Sequence, residues 1–127
     1  MDYNWTGSRI IIADDDLINF ELLKLIIGRT RSEVLHHKNG IEVIEYIETH
    51  GKVDLIVMDL QMPILDGIEA TYQLREKGYQ GVIIGLTAMS TKDIKGTLLK
   101  KGFNEIIEKP FDRLRLLKLI DDNLKMR

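Results

Sequence analysis

Four short runs carry most of the residues in this chain that could do chemistry together: Asp14-Asp15-Asp16, Asp59, Thr87-Ala88 and Lys109-Pro110. They offer carboxylates, a hydroxyl and an ammonium, with no thiol and no imidazole among them. Two like charges ~4 Å apart repel by about 4 kcal/mol at an effective dielectric of ~20. Carboxylates gathered in one place therefore raise at least one pKa strongly unless a cation intervenes, and one lysine cannot balance three. Oxygen donors without His or Cys select a hard ion, and one or two carboxylates with retained waters suit Mg²⁺ better than Ca²⁺. A carboxylate beside Mg²⁺, a hydroxyl and an ammonium is a place for a phosphoryl group on that carboxylate. The metal and the lysine would neutralise the equatorial oxygens during in-line transfer.

The elements that must position these groups follow from apolar periodicity. Short β-rich runs at 9–13, 33–36, 53–58, 82–86 and 105–107 alternate with stretches of helical spacing at 17–28, 41–49, 67–77, 92–101 and 112–125. Three of the runs, Ile10-Ile11-Ile12, Leu55-Ile56-Val57 and Val82-Ile83-Ile84, are continuously apolar, as strands buried on both faces of a parallel sheet must be. Gly28, Asn39-Gly40, Gly51, Gly78, Gly81 and Gly102 punctuate the junctions. Five strands alternating with five helices predict an open, doubly wound α/β sheet, in which ligands bind beyond the carboxyl ends of the strands. Each polar run follows one of those ends. Taken singly, each has a plain explanation: an N-cap of about 1 kcal/mol for the Asp run, a turn for Asp59, a helix cap for Thr87, a solvated loop for Lys109. Together, at one edge of one sheet, they favour a site.

Composition narrows the rest. The chain has 127 residues, one ordinary domain, with a lead-in over 1–7 and the folded unit over 8–127. A net charge of −2 argues against nucleic-acid binding by this domain. The absence of cysteine excludes disulfide scaffolds, Cys-ligated zinc and thiol catalysis. No apolar run approaches the ~18 residues that span a bilayer, so a soluble, cytoplasmic domain without membrane contact is expected.

With the motifs in place, the chain resembles the receiver domains of two-component response regulators, from Ser8 to about Lys125. The resemblance rests on the acidic pair Asp14-Asp15, on Met58-Asp59-Leu60-Gln61-Met62-Pro63 with Asp66-Gly67, on Leu86-Thr87-Ala88 and on Glu108-Lys109-Pro110-Phe111. It implies the flavodoxin-like strand order 2-1-3-4-5. It also implies Asp59 as phosphoacceptor, Asp15 as a direct Mg²⁺ ligand, Asp14 as one through water, and the Gln61 backbone carbonyl as a further ligand. Thr87 would take a phosphoryl oxygen, Lys109 would pair with the phosphoryl group, and the peptide before Pro110 would be cis. The donor implied is a histidine kinase or a histidine phosphotransfer domain. Asn19, the Met-Asp-Leu-Gln-Met-Pro run and the lead-in Asn4-Trp5-Thr6-Gly7 are similar to receivers of hybrid histidine kinases. A freestanding response regulator is the alternative, and an Asp-nucleophile phosphatase a more distant one, since Gln61 stands where such an enzyme needs a general acid. An FMN carrier of the same fold would need a phosphate-holding loop where three carboxylates stand.

Two positions bear on regulation, and the second departs from the common family pattern. Met89 offers no hydrogen bond beside the path of an attacking water, so with Gln61 it implies slow hydrolysis of the phospho-Asp. Ile106 stands where many receivers carry Tyr or Phe, so the Thr87 part of the switch can survive without an aromatic readout, and a smaller rearrangement is expected. His36 and His37 are adjacent in a strand and point to opposite faces; these and His50 read as structural or solvated. On a wheel of ~100° per residue, Asn19, Leu22, Leu23, Ile26 and Ile27 share one arc, taken as the core face, while Leu17 and Phe20 project about 160° and 100° from its centre. Leu17 and Phe20, one turn from the acidic pocket, are the expected docking patch for a four-helix phosphotransfer or kinase dimerisation domain.

Overall fold

A computed structural model describes residues 3–125; Met1, Asp2, Met126 and Arg127, at the ends of the expected lead-in and folded unit, lie outside the described residues. Five strands and five helices alternate: β1 (Arg9–Ala13), α1 (Leu17–Gly28), β2 (Glu33–His37), α2 (Gly40–His50), β3 (Leu55–Asp59), α3 (Gly67–Glu76), β4 (Val82–Thr87), α4 (Lys95–Lys100), β5 (Glu105–Glu108) and α5 (Arg113–Lys125). All neighbouring strands are parallel and the order is β2-β1-β3-β4-β5. The expected doubly wound fold and strand order are both present.

Alternation along the apolar strands divides the core in two. Ile10, Ile12, Leu55, Val57, Ile84 and Leu86 face α1 and α5, packing with Leu23, Ile27, Leu116 and Ile120. Ile11, Ile56, Met58, Ile83 and Ile106 face the other way, packing with Val43, Ala70, Leu74 and Leu98. Burial on both faces is why these strands read as unbroken apolar runs. The starts of α1, α2 and α3 are capped by side chains: Asp16 accepts from Ile18 and Asn19, Asn39 from Glu42, and Asp66 from Glu69. Among the described residues no helix is long and apolar enough to cross a membrane.

Several boundaries and one helix face differ from the sequence expectation. The third strand starts at Leu55, not at 53, and extends to include Asp59; the fourth includes Thr87. Helix α4 has 6 residues where the spacing predicts ten. Gly96 and Thr97 are weak helix formers, and the backbone N–H and hydroxyl of Thr91 are taken by Glu108 Oε1 instead. The wheel for α1 is rotated from the real one. Phe20 is buried, 8% exposed, with its ring stacked on His36 of β2 at 3.7 Å and 7°, whereas Leu22 is 49% exposed. A wheel centred on the helix alone cannot know that β2 presents a flat ring to the Phe20 side. The lead-in is also partly built into the domain. Trp5 is buried, its backbone N–H donates to Thr30 O at 2.7 Å, and its indole Nε1–H donates to Asp121 of α5 at 2.8 Å.

Candidate functional site

The carboxyl ends of β1, β3 and β4 and the loop after β5 meet at one edge. Asp14 lies just past β1, and its backbone N–H donates to His37 O at 3.0 Å. Asp59 ends β3, opposite Leu86 in the register. Thr87 ends β4, and its backbone carbonyl accepts from Lys109 N at 2.7 Å. The Lys109–Pro110 peptide is cis.

Asp14, Asp15 and Asp59 each bring a carboxylate oxygen within 4.8 Å of the other two. Asp14 and Asp59 are buried while Asp15 is exposed, so the cluster opens to solvent on the Asp15 side. The third member of the run, Asp16, is spent on the α1 cap and takes no part. Lys109 Nζ lies 3.2 Å from Asp59 Oδ2 and 3.9 Å from Asp14 Oδ2. Asp59 Oδ1 accepts from Gln61 N at 3.1 Å, which folds the loop back over the carboxylate. Thr87 is buried, and its hydroxyl accepts from Met89 N at 3.0 Å.

One ammonium shared among three carboxylates leaves the site short of positive charge. Burial pushes the Asp14 carboxyl up to about 6; the Asp59 charge adds to the rise, against the Asp16 N–H and the Lys109 ammonium. Asp14 Oδ1 accepts from Asp16 N at 2.9 Å, but Oδ2 is buried with no hydrogen-bond partner. A buried oxygen without a donor, within reach of two more carboxylates, is what a hard divalent cation would satisfy. The donor set therefore fits Mg²⁺.

Of the residues expected at the site, Asp14, Asp15, Asp59, Gln61, Thr87 and Lys109 come together at this edge. Ile106 does not: it is buried between α4 and the sheet, facing Gly85 of β4. Of the expected docking pair, Leu17 is exposed but Phe20 is withdrawn into the core, so Phe20 presents no side chain to a partner. The apolar groups actually exposed along α1 are Leu17, Ile18, Leu22 and Leu25. A cleft of about 340 Å³ beside the site is lined by Asp14, Asn19, Leu22, Lys109 and Phe111 among others. Reading His36 as structural or solvated misses its contact at the site, where its ring nitrogen Nε2 lies 2.8 Å from the Asp14 carbonyl oxygen. Only its position at the end of a strand beside the first carboxylate run could have pointed to it.

Comparison with known proteins follows the same line. Residues 10–121 match the family of response regulator receiver domains. Two-component response regulator 24 of Arabidopsis thaliana is 32% identical over 112 residues, covering 87% of this chain and 79% of the relative. Hybrid signal transduction histidine kinase M of Dictyostelium discoideum is 34% identical over 117 residues; the match covers 87% of this chain but only 5% of that kinase. Among solved structures, the Francisella response regulator 1452 receiver domain superposes with a TM-score of 0.89 at 28% identity, covering 94% of this chain and 98% of the other. The receiver domain of sensor histidine kinase PA1611 from Pseudomonas aeruginosa, solved with a magnesium ion coordinated in its active site cleft, gives 0.85 at 26%, covering 94% and 99%. The receiver of Ssk1 from Saccharomyces cerevisiae, co-crystallised with the histidine phosphotransfer protein Ypd1, gives 0.86 at 29%, covering 95% and 91%.

Proposed function

This chain belongs to the response regulator receiver family of two-component and phosphorelay signalling, and from that premise we propose that Asp59 takes a phosphoryl group from a phosphohistidine. The observation that carries the reading is the cluster of Asp14, Asp15 and Asp59, short of positive charge and open to solvent at Asp15, with Lys109 Nζ 3.2 Å from Asp59. A carboxylate oxygen of Asp59 attacks phosphorus in line, the P–N bond breaks, and the imidazole of the donor leaves. The product is an acyl phosphate on Asp59. Lys109, already paired with Asp59, follows the charge onto the phosphoryl oxygens, and the Thr87 hydroxyl, which accepts from Met89 N, donates its own proton to one of them. Asp15, Asp14, Asp59 and the Gln61 carbonyl would hold Mg²⁺, Asp14 through water. When bound, the ion neutralises charge on the phosphoryl group during transfer. The receiver unit in this reading is 8–127, with residues 3–7 docked upon it.

The test is incubation with a small acyl phosphate, with and without Mg²⁺. Stable, acid-labile label that depends on the ion supports a phosphoacceptor; turnover of a phosphoester without retained label means an Asp-nucleophile phosphatase instead. Within the cluster, Asp15→Asn is expected to weaken Mg²⁺ binding by about tenfold or more, a loss of ~1.4 kcal/mol or more. Asp14→Asn should weaken it less, because in this reading Asp14 reaches the ion only through water. Calorimetric titration of both variants measures the order, and the reverse order contradicts the ligand assignment.

The partner we propose is a histidine kinase or a histidine phosphotransfer domain, docking over the start of α1. Leu17, Ile18 and Leu22 lie beside the acidic turn and the cleft that Asp14 and Lys109 line, and contiguous exposed apolar groups mark interfaces. Ssk1's receiver, at 29% identity, is known in complex with such a phosphotransfer protein. Replacing Leu17 and Leu22 together with Ala is expected to leave labelling by the small phosphodonor intact while slowing transfer from a phosphohistidine protein by about tenfold, as loss of ~1.4 kcal/mol at an interface does. Equal loss by both routes would make the two leucines structural.

A further inference from the structure

We infer that His36 is a positioning residue for the acidic turn, its imidazole Nε2–H holding the Asp14 carbonyl so that Asp15 points into the metal site. Strand pairing between β1 and β2 ends at Ala13 with His37. Asp14 is the first residue beyond that register, and its N–H is still tied to His37 O. Its carbonyl has run past the end of β2, and the donor that meets it is the His36 ring, at 2.8 Å. An acceptor carbonyl requires that this nitrogen donate.

The ring itself is not free to wander. It is stacked on Phe20 at a centroid distance of 3.7 Å, with the two planes 7° apart. Phe20 is anchored in the core of α1. The donor is therefore fixed from the helix side, and both backbone polar groups of Asp14 are fixed from β2. The peptide that joins Asp14 to Asp15 is planar, so setting the direction of its carbonyl also sets the N–H and Cα of Asp15. Asp15 is the exposed member of the cluster. Its approach to the other two carboxylates depends on this peptide. Groups that orient metal ligands typically change metal affinity by ten- to a hundredfold, roughly, when removed.

This inference rests on the reading of Asp15 as a Mg²⁺ ligand, and the experiment separates the two. Three variants are compared by calorimetric Mg²⁺ titration at one pH, and by thermal melting without Mg²⁺. His36→Phe keeps a flat ring against Phe20 but has no donor; His36→Gln keeps a donor of similar reach; Asp15→Asn removes the ligand. The Phe variant is expected to bind Mg²⁺ about tenfold more weakly with its metal-free melting temperature nearly unchanged, and the Gln variant to recover most of the affinity. Native Mg²⁺ affinity in the Phe variant, with Asp15→Asn impaired, overturns the positioning role alone. Parallel loss of affinity and melting temperature in the Phe and Gln variants also overturns it, leaving His36 as packing. Native affinity in Asp15→Asn overturns the ligand reading beneath it. Should the Phe variant not fold, His36→Leu serves the same comparison.

Discussion

Replacing Asp59 with Asn is expected to abolish acid-labile phosphate altogether, while leaving the fold in place. The amide keeps the shape of the carboxylate, and its oxygen can still accept from Gln61 N, the contact now made by Asp59 Oδ1 at 3.1 Å. It lacks the negative charge that makes a carboxylate oxygen a nucleophile towards phosphorus. Lys109 loses its nearer partner at 3.2 Å and retains Asp14 at 3.9 Å. Removing one of three crowded carboxylates also relieves repulsion, which was part of what raised Asp14. Thermal stability without Mg²⁺ should therefore hold or rise even as labelling vanishes. Incubation with a small acyl phosphate and Mg²⁺, followed by acid-lability analysis, gives the answer; full labelling of the Asn variant would place the phosphoacceptor elsewhere.

The second large effect is expected at Gly67, which has no part in the chemistry. Asp66 caps α3, and Gly67 follows it so closely under the end of β3 that its N–H donates to Leu60 O at 3.1 Å. A Cβ built there would collide with the Asp59 carbonyl oxygen and lie 2.8 Å from Met58 Cγ. The obstacle is backbone, and it is the backbone of the phosphoacceptor itself. Overpacking in a well-filled core costs roughly 1–3 kcal/mol, and more when the main chain must move. Gly67→Ala is expected to destabilise the fold by about 3 kcal/mol or more and to reduce labelling at Asp59 in whatever fraction stays folded. Denaturant unfolding and labelling per folded molecule measure the two parts. A native midpoint would mean that α3 can slide away from β3 freely.

The first expectation comes from features that the sequence displays openly; the second needs the fold. Ile10-Ile11-Ile12 and Leu55-Ile56-Val57 announce doubly buried strands because they are short, rich in β-branched residues and apolar at consecutive positions. The carboxylates that follow such runs are forced to the same edge by parallel pairing. What escaped was set by partners distant in sequence. A helical wheel sends Phe20 outward and Leu22 inward because it knows spacing within the helix but not the His36 ring across from it. Spacing alone makes helix α4 too long because nothing local shows that Glu108 captures Thr91. Residues 3–7 read as a lead-in because a lone indole gives no sign of an acceptor on α5, 116 positions away. His36 reads only as structural or solvated for the same reason, since its partner is a backbone carbonyl, which carries no side-chain signature.

That indole has an experimental use of its own. Trp5 is the chain's single tryptophan, and it sits before the start of β1, at the opposite pole of the sheet from the carboxylates. Its emission is set by the seam where the amino-terminal segment closes over α1 and α5, through Thr30 and Asp121. Fluorescence from this protein is therefore a natural optical gauge of global opening, largely blind to ion and phosphoryl occupancy at the far edge. Unfolding and ligation can be followed in one cuvette as separate signals, without adding a dye.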